Sequence, residues 1–360
     1  MMKGSKAVLS IAAAAAALMA FGPTSAQDDP FRVGYIYVGP ISDHGWSYQH
    51  DQGRLAVEAH FGDQVETQYV ENVAEGPDAA RVLRQLASSG VDMIFATSFG
   101  FGDSVIEMAE QFPDVYFEHA TGYQRADNVA TYSGRFYEGR TILGNIAGQL
   151  TESNQIGYIA SFPIPEVVRG INAFAIELRR VNPNAEVDVV WVNTWYNPSL
   201  EAEAATALID QGADIIVQHT DSPAALQVAE ERGVYAFGQS SDMIAFAPDA
   251  QLTAIVDDWS QYYIDRVQAA MEGTWASTDT WDDIDAGMVF MADYTNMPDD
   301  VAQDAQALEH AIVAGQRHPF QGPIYAQDGS EIVAEGQVLD DQSLLTMDYF
   351  VEGVTGSMPN

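Results

Sequence analysis

Residues 31–50 read FRVGYIYVGPISDHGWSYQH, and this stretch predicts the first strand, loop and helix of an α/β fold. Residues 31–38 are mostly β-branched or aromatic, which is typical of a strand, and residues 46–60 carry a helical pattern. The loop between them therefore follows the carboxyl end of a strand, where open parallel sheets bind ligands. We interpret Asp43, His44 and Trp46 as one wall of a small-molecule site. The alternative is that Asp43 only caps the helix and Trp46 only packs.

The bulk composition allows two domains and excludes several functions. The 360 residues are 47% hydrophobic, and 52 acidic against 15 basic residues give a net charge of −37. Such a surface repels nucleic acid and anionic lipid, so we expect no nucleic-acid partner. The chain contains no cysteine, which excludes disulfides, thiolate metal sites, a cysteine nucleophile and a lipid anchor on an N-terminal cysteine.

The N-terminus has the pattern of a signal peptide. Lys3 and Lys6 precede an apolar run, residues 7–21, which is too short to span a bilayer, and small residues follow at 24–26. We predict that residues 1–26 are a signal peptide cleaved after Ala26. The mature protein is then expected in the periplasm as a monomer without a lipid anchor.

Strand and helix patterns alternate from residue 31 to residue 256, which predicts parallel sheets covered by helices. A short internal repeat indicates two lobes, because residues 86–94 (LASSGVDMI) resemble residues 208–216 (LIDQGADII). We predict lobe 1 from residues 30–135 plus 252–278 and lobe 2 from residues 136–251 plus 279–317. Residues 318–360 form a C-terminal segment that the sequence assigns to neither lobe.

The common catalytic and cofactor motifs are missing from the sequence. It contains no Gly-x-Ser-x-Gly, no His-Glu-x-x-His and no Gly-x-x-x-x-Gly-Lys. We therefore expect a protein that is not an enzyme and has no catalytic residues, cofactor or metal. A two-histidine metal site from His44 and His219, both at strand ends, is the alternative that this pattern leaves open.

Aromatic and carboxylate side chains recur where predicted strands end. Two opposed aromatic rings would sandwich a flat ligand, and carboxylates would accept its N–H or O–H groups. Cationic side chains are scarce in these loops, which disfavours a phosphorylated ligand. The predicted ligand-binding residues are Asp43, His44, Trp46, Ser98, Phe99, Trp195, Asp221, Asp242 and Asp257.

Several short motifs between about Arg32 and Pro359 carry a family resemblance. They are Gly39-x-x-x-Asp43-x-x-Trp46 with Gly53, Gly90-x-Asp92-x-Ile94, Pro113-Asp114-Val115-x-Phe117, Glu138-Gly139, Ile164-Pro165, Val181-Asn182-Pro183, Gly238-x-x-x-Asp242, Pro319-Phe320-x-Gly322-Pro323 and Met347-Asp348-x-x-Val351-Glu352-Gly353. Together they resemble the basic membrane protein family of solute-binding proteins, which is similar to the purine nucleoside receptors of bacterial ABC transporters. The resemblance implies the two-lobed type I periplasmic binding protein fold, three hinge crossings, closure on a ligand, and delivery to an ABC permease in the inner membrane.

The resemblance also implies roles for individual residues. Trp46 and Trp195 would stack on either side of a base, while Asp43 and Asp242 would bind its polar edge or a ribose. Ser42 stands where the nucleoside receptors usually have Asn, and residues 253–257 lack the Lys that they often carry. These departures favour a purine nucleobase such as adenine over a nucleoside.

Two alternatives for the function stay open at this point. A receptor for a sugar or another cyclic metabolite would also use stacked aromatics and carboxylates. A secreted nucleoside hydrolase would need an acid–base set, for which Asp43, His44 and Asp242 are the candidates.

Overall fold

The computed structural model describes Met1 and residues 29–359, so the predicted signal peptide lies, apart from Met1, outside the described residues. The described part of the chain forms two α/β lobes, each with its own sheet. The predicted fold class is confirmed. Within that same part, no helix has the length and apolar character needed to cross a membrane.

Lobe 1 is built on a six-stranded parallel sheet covered by four helices. The strands are β1 (Phe31–Ile36), β2 (Val65–Val70), β3 (Met93–Ala96), β4 (Tyr116–Ala120), β5 (Val129–Gly134) and β11 (Asp279–Asp282). They are arranged in the order β11-β5-β4-β3-β1-β2. The helices are α1 (Trp46–Phe61), α2 (Pro77–Ser88), α3 (Gly102–Gln111) and α8 (Ser260–Met271), and α8 packs against α1.

Lobe 2 is built on a seven-stranded sheet. The strands are β6 (Gln155–Ala160), β7 (Glu186–Trp191), β8 (Ile215–His219), β9 (Tyr235–Gly238), β10 (Gln251–Asp257), β12 (Val289–Met291) and β15 (Val354–Thr355). Their order is β12-β10-β9-β8-β6-β7-β15, parallel except for β12. The remaining elements are α4 (Tyr137–Leu150), α5 (Pro165–Val181), α6 (Pro198–Asp210), α7 (Ala224–Arg232), α9 (Asp299–Val313), α10 (Asp341–Leu345) and a small hairpin of β13 (Ile324–Tyr325) and β14 (Glu331–Val333).

The short internal repeat corresponds to one equivalent helix–turn–strand unit in each lobe. Gly90 lies between α2 and β3, and Gly212 lies between α6 and β8. Their φ angles are 86° and 113°, a left-handed conformation that glycine adopts without steric cost. The aspartate two residues later accepts backbone N–H groups from the neighbouring segment, Asp92 from Arg32 at 2.7 Å and Asp214 from Glu152 at 2.7 Å.

The chain crosses between the lobes three times, as the family resemblance implies. The crossings lie between β5 and α4, between β10 and α8, and between β11 and β12. The predicted boundaries at 252 and 279 are wrong for two strands. β10 pairs with β9 and so belongs to lobe 2, while β11 pairs with β5 and so belongs to lobe 1. A buried apolar run predicts a strand but does not specify the sheet in which its backbone is paired.

The C-terminal segment, residues 318–359, is attached to lobe 2. The amide of Asn172 on α5 donates to the Tyr349 carbonyl at 2.7 Å and accepts from the Val351 N–H at 3.1 Å. In addition, β15 pairs with β7. These backbone contacts assign the segment that the sequence left unassigned.

Candidate ligand-binding site

A cavity lies between the lobes, at the carboxyl ends of both sheets. Its empty space, including the mouth, is about 340 Å³. Lobe 1 lines it with Val38, Trp46, Ser98, Phe99 and Thr121, and lobe 2 with Glu166, Trp195, His219, Asp221 and Gln239. Since these residues lie at strand ends or in the segments that follow strands, the strand-end rule locates the cavity correctly.

The two indoles come from opposite lobes. Trp46 donates its Nε1–H to the Thr97 carbonyl at 2.7 Å, and Trp195 donates its own to Glu75 at 3.0 Å. His50 and Trp259 pack against Trp46 in T-shaped contacts, with ring centroids 4.5 and 5.4 Å away. Because both N–H groups are bonded to protein, the indoles have only their ring surfaces to offer a ligand.

Lobe 2 supplies the polar side of the cavity. His219 Nε2 lies 3.4 Å from Glu166 Oε1. Asp221 Oδ2 and His219 Nδ1 are buried and lack a hydrogen-bond partner among the described residues. Burial lowers the pKa of His219, whereas burial and the nearby Asp43 carboxyl raise the pKa of Asp221 well above its usual range. Unpaired buried polar atoms are costly, so these two atoms are available to a polar ligand edge.

The sequence of this chain matches a known protein family. The Bmp family model, described as ABC transporter substrate-binding protein PnrA-like, matches residues 31–318. The chain belongs to the Bmp family. This Bmp protein is therefore a substrate-binding protein of an ABC transporter.

Two curated relatives of this Bmp protein are similar over nearly the whole chain. A purine-binding protein of Brucella abortus is 53% identical over 338 residues, which cover 94% of this chain and 97% of the relative. A putative ABC transporter glucose-binding protein of Haloferax volcanii is 38% identical over 340 residues, covering 94% and 83%.

Solved structures of more distant proteins share the fold. An ABC transporter solute-binding protein from Aeropyrum pernix has a TM-score of 0.68 and 16% identity, covering 88% of this chain and 95% of its own. A second, from Conexibacter woesei, has a TM-score of 0.63 and 22% identity, covering 80% and 97%. At these identities the likeness supports the two-lobed fold alone.

Five of the nine predicted ligand-binding residues line the cavity of this Bmp protein: Trp46, Ser98, Phe99, Trp195 and Asp221. Ser98 is nearly buried, and its hydroxyl donates to Glu75 Oε1 at 2.7 Å. The other four predicted residues, Asp43, His44, Asp242 and Asp257, lie outside the lining.

Asp43 is fully buried and caps α1. Its carboxylate accepts the backbone N–H groups of Gly45, Ser47 and Tyr48 at 2.9, 2.9 and 3.0 Å. Burial raises its pKa to about 6 against these hydrogen bonds. These hydrogen bonds give Asp43 the capping role that the sequence left as the alternative, and Asp43 lies outside the lining of the cavity.

His44 and Asp242 have structural surroundings as well. The His44 ring packs on Phe246 with centroids 4.7 Å apart. Asp242 is exposed and accepts a hydrogen bond from Gln251 Nε2 at 2.7 Å. Asp257 is fully buried within electrostatic reach of Arg140, and both of its carboxylate oxygens lack a hydrogen-bond partner among the described residues.

These positions do not favour a nucleoside hydrolase or a metal site. The acid–base set of a nucleoside hydrolase, Asp43, His44 and Asp242, is not assembled at the cavity. Over the described residues, no group of three or more His, Asp or Glu side chains is placed to hold a metal ion.

Several residues at the cavity were not among those predicted from the sequence. Glu75 follows β2, Glu166 lies in the first turn of α5 after β6, and Gln239 directly follows β9. The same strand-end signal applies to all three.

The lobes touch beside the cavity, so the structure is that of a closed form. The Ser241 hydroxyl of lobe 2 donates to the His44 carbonyl of lobe 1. A Cβ placed on Gly45 would lie 3.0 Å from Cα and C of Asp221, and closer still to its carbonyl oxygen. Backbone therefore meets backbone across the cleft at Gly45.

Proposed function

We propose that this Bmp protein binds a purine nucleobase, with adenine favoured over nucleosides, in the cavity between its lobes. The observation that carries the proposal is the pair of indoles, Trp46 and Trp195, one from each lobe on a cavity whose polar side has an unpaired carboxylate oxygen. Planar heterocycles gain from aromatic burial on two sides. A carboxyl that keeps its proton, as the raised pKa of Asp221 implies, can accept a hydrogen bond from the exocyclic amine of adenine and donate one to a ring nitrogen. The name of the Brucella abortus relative supports a purine.

The lining supports an uncharged ligand without a phosphate. None of the ten described residues that line the cavity is a lysine or an arginine. Asp242, which the family resemblance assigns to the polar edge or ribose, is exposed and bonded to Gln251, and this position favours a free base. We propose that the protein is an exported, periplasmic monomer that delivers the base to an ABC permease in the inner membrane.

A sugar is the second candidate ligand, because the Haloferax volcanii relative is named as a putative glucose-binding protein. Isothermal titration calorimetry with adenine, hypoxanthine, adenosine, ribose and glucose separates the two. We expect adenine to bind with a Kd well below about 1 mM and glucose not to compete. If no purine binds in that range, the proposed ligand is wrong.

Removing one indole should weaken adenine binding. We expect Trp46→Leu to raise the Kd for adenine by about tenfold or more, because stacking of a base on an aromatic ring contributes about 1–3 kcal/mol. The matched control is Trp191→Leu, since Trp191 packs near Phe350 with centroids 6.4 Å apart and does not line the cavity. Calorimetry on both variants checks this, and equal effects of the two substitutions would contradict a stacking role for Trp46.

Adenine binding should weaken as the pH rises. Burial beside each other in the closed form raises the pKa of Asp43 to about 6 and that of Asp221 well above its ordinary value, with Glu166 and Glu201 adding to the latter effect. A raised acid pKa means that the closed form binds more protons than the open form, so closure is favoured at low pH. We expect the affinity to fall by about tenfold or more as the pH rises through about 6, where Asp43 loses its proton, and to go on falling while Asp221 loses its own.

The measurement is a calorimetric titration of adenine at several pH values, repeated in buffers of different ionisation enthalpy to count protons. Proton uptake on binding is expected near pH 6, and Asp221→Asn should flatten the dependence. An affinity that increases with pH would show that the two carboxylates are not brought together on closure.

A further inference from the structure

Glu75 lies in the loop between β2 and α2, at the rim of the cavity, and it receives hydrogen bonds from both lobes. Its Oε1 accepts the Ser98 hydroxyl at 2.7 Å and the Gly100 N–H at 3.1 Å, both within lobe 1. The same oxygen accepts Trp195 Nε1–H at 3.0 Å from lobe 2. Of these three hydrogen bonds, only the one from the Trp195 indole requires the two lobes to be in contact.

The two donors from lobe 1 orient the carboxylate before closure. A Cβ on Gly100 would lie 2.5 Å from both carboxylate oxygens of Glu75, so the close approach requires glycine at this position. Because Ser98 and Gly100 hold Glu75 in the open form as well, little ordering is left when Trp195 arrives.

On the other side of the bond, Trp195 forms part of the cavity wall. Its ring lies 5.1 Å from Phe162 and 6.4 Å from His219, measured between centroids, and both contacts are tilted. Neither neighbour stacks on the indole or holds its N–H end. Glu75 holds the N–H end of the Trp195 indole, and it does so from the opposite lobe.

We propose that Glu75 is a positioning residue that couples closure to ligand stacking, because its carboxylate holds the Trp195 indole against the cavity only in the closed form. The inference rests on the proposed site between the lobes, but it does not require the ligand to be a purine. The Glu75–Trp195 bond differs in this respect from the Ser241–His44 contact, which involves no residue of the cavity lining.

The test measures the dissociation rate of adenine by stopped-flow tryptophan fluorescence. Since a hydrogen bond to a charged group is lost, Glu75→Ala should raise the dissociation rate about tenfold or more, with a smaller change in the association rate. Trp195→Phe keeps an aromatic ring but removes the N–H, and it should have a similar effect. The double variant should be no worse than either single one, and Glu75→Gln, which keeps an acceptor oxygen, should recover part of the loss.

The matched control is Glu71→Ala in the same loop. Glu71 accepts the Ile41 N–H at 2.8 Å, a bond within lobe 1, so its removal should leave the dissociation rate of adenine unchanged. Additive effects of Glu75→Ala and Trp195→Phe, or equal effects of Glu75→Ala and Glu71→Ala, would overturn the proposal.

A second readout separates this inference from the identity of the ligand. The sequence has no cysteine, so spin labels can be attached at Asp103→Cys on lobe 1 and Glu203→Cys on lobe 2, both exposed. Their distance distribution gives the closed fraction with and without adenine, and Glu75→Ala should lower it in either case. If adenine fails to bind the wild type, the proposed ligand is wrong, and the closed fraction without ligand still decides the role of Glu75. A wild type that never reaches the closed distance, or a closed fraction unchanged in Glu75→Ala, overturns it.

Discussion

Replacing Gly45 by alanine should abolish tight adenine binding while leaving both lobes folded. In the closed form the new Cβ would lie 3.0 Å from Cα and C of Asp221 on lobe 2, and nearer to the Asp221 carbonyl oxygen. Because the obstacle is backbone, it cannot move aside as a flexible side chain would. We expect the Kd for adenine to rise by about 100-fold or more, since the binding-competent closed form becomes a small fraction of the population.

Gly170→Ala is the matched control for this substitution. Gly170 lies inside α5, and the nearest atoms to its added Cβ are all 3.6 Å away, an ordinary contact. Alanine is favoured over glycine in a helix interior, so the control should bind adenine like the wild type and be more stable by about 0.5–1 kcal/mol. The comparison separates the effect of a methyl group at position 45 from the general effect of replacing a glycine by alanine.

The measurements are calorimetry with adenine, small-angle X-ray scattering with and without adenine, and thermal unfolding. Gly45→Ala should keep a cooperative unfolding transition but fail to contract when adenine is added. If it contracts and binds like the wild type, the lobes do not meet at Gly45 when the ligand is bound.

The periodicity of the sequence predicted parallel sheets covered by helices, because buried strands and amphipathic helices are local patterns. Gly90 and Gly212, each between a helix and a buried strand, showed the repeat from a pair of nine-residue matches. The pairing of β10 and β11 could not be predicted in this way. Each is a strand next to a hinge crossing, and only the contacts of the folded chain decide which sheet satisfies its backbone.

Of the predicted site residues, the tryptophans and Phe99 line the cavity, whereas Asp221 is the one predicted carboxylate that does. Trp46 and Trp195 line the cavity as expected. Asp43 has the same sequence signature as a ligand carboxylate and as a helix cap, and three backbone amides make it a cap. Glu75 was missed because its function depends on an indole that is 120 residues away in the chain and on the other lobe.

Loss of the Glu118 carboxylate should cost lobe 1 much of its stability. Glu118 on β4 is fully buried and accepts three side-chain donors: Arg266 at 2.6 Å, Trp275 at 2.7 Å and Tyr262 at 2.7 Å. Burial raises its pKa, while the Arg266 charge and these hydrogen bonds lower it. The cluster attaches α8 and the residues after it to the sheet. We expect Glu118→Leu to lower the free energy of unfolding by about 3–5 kcal/mol, because it leaves a nearly buried guanidinium without its partner.

Two further variants test the cause of this loss by equilibrium urea unfolding. Glu118→Gln keeps one acceptor oxygen, so its cost should be smaller than that of Glu118→Leu. The double variant Glu118→Leu/Arg266→Leu removes both charges, and it should recover part of the stability because replacing a buried ion pair by apolar groups is often close to neutral. If the double variant is less stable than Glu118→Leu alone, the unpaired Arg266 charge is not the source of the loss, and the packing of Tyr262 and Trp275 around the carboxylate has the larger share.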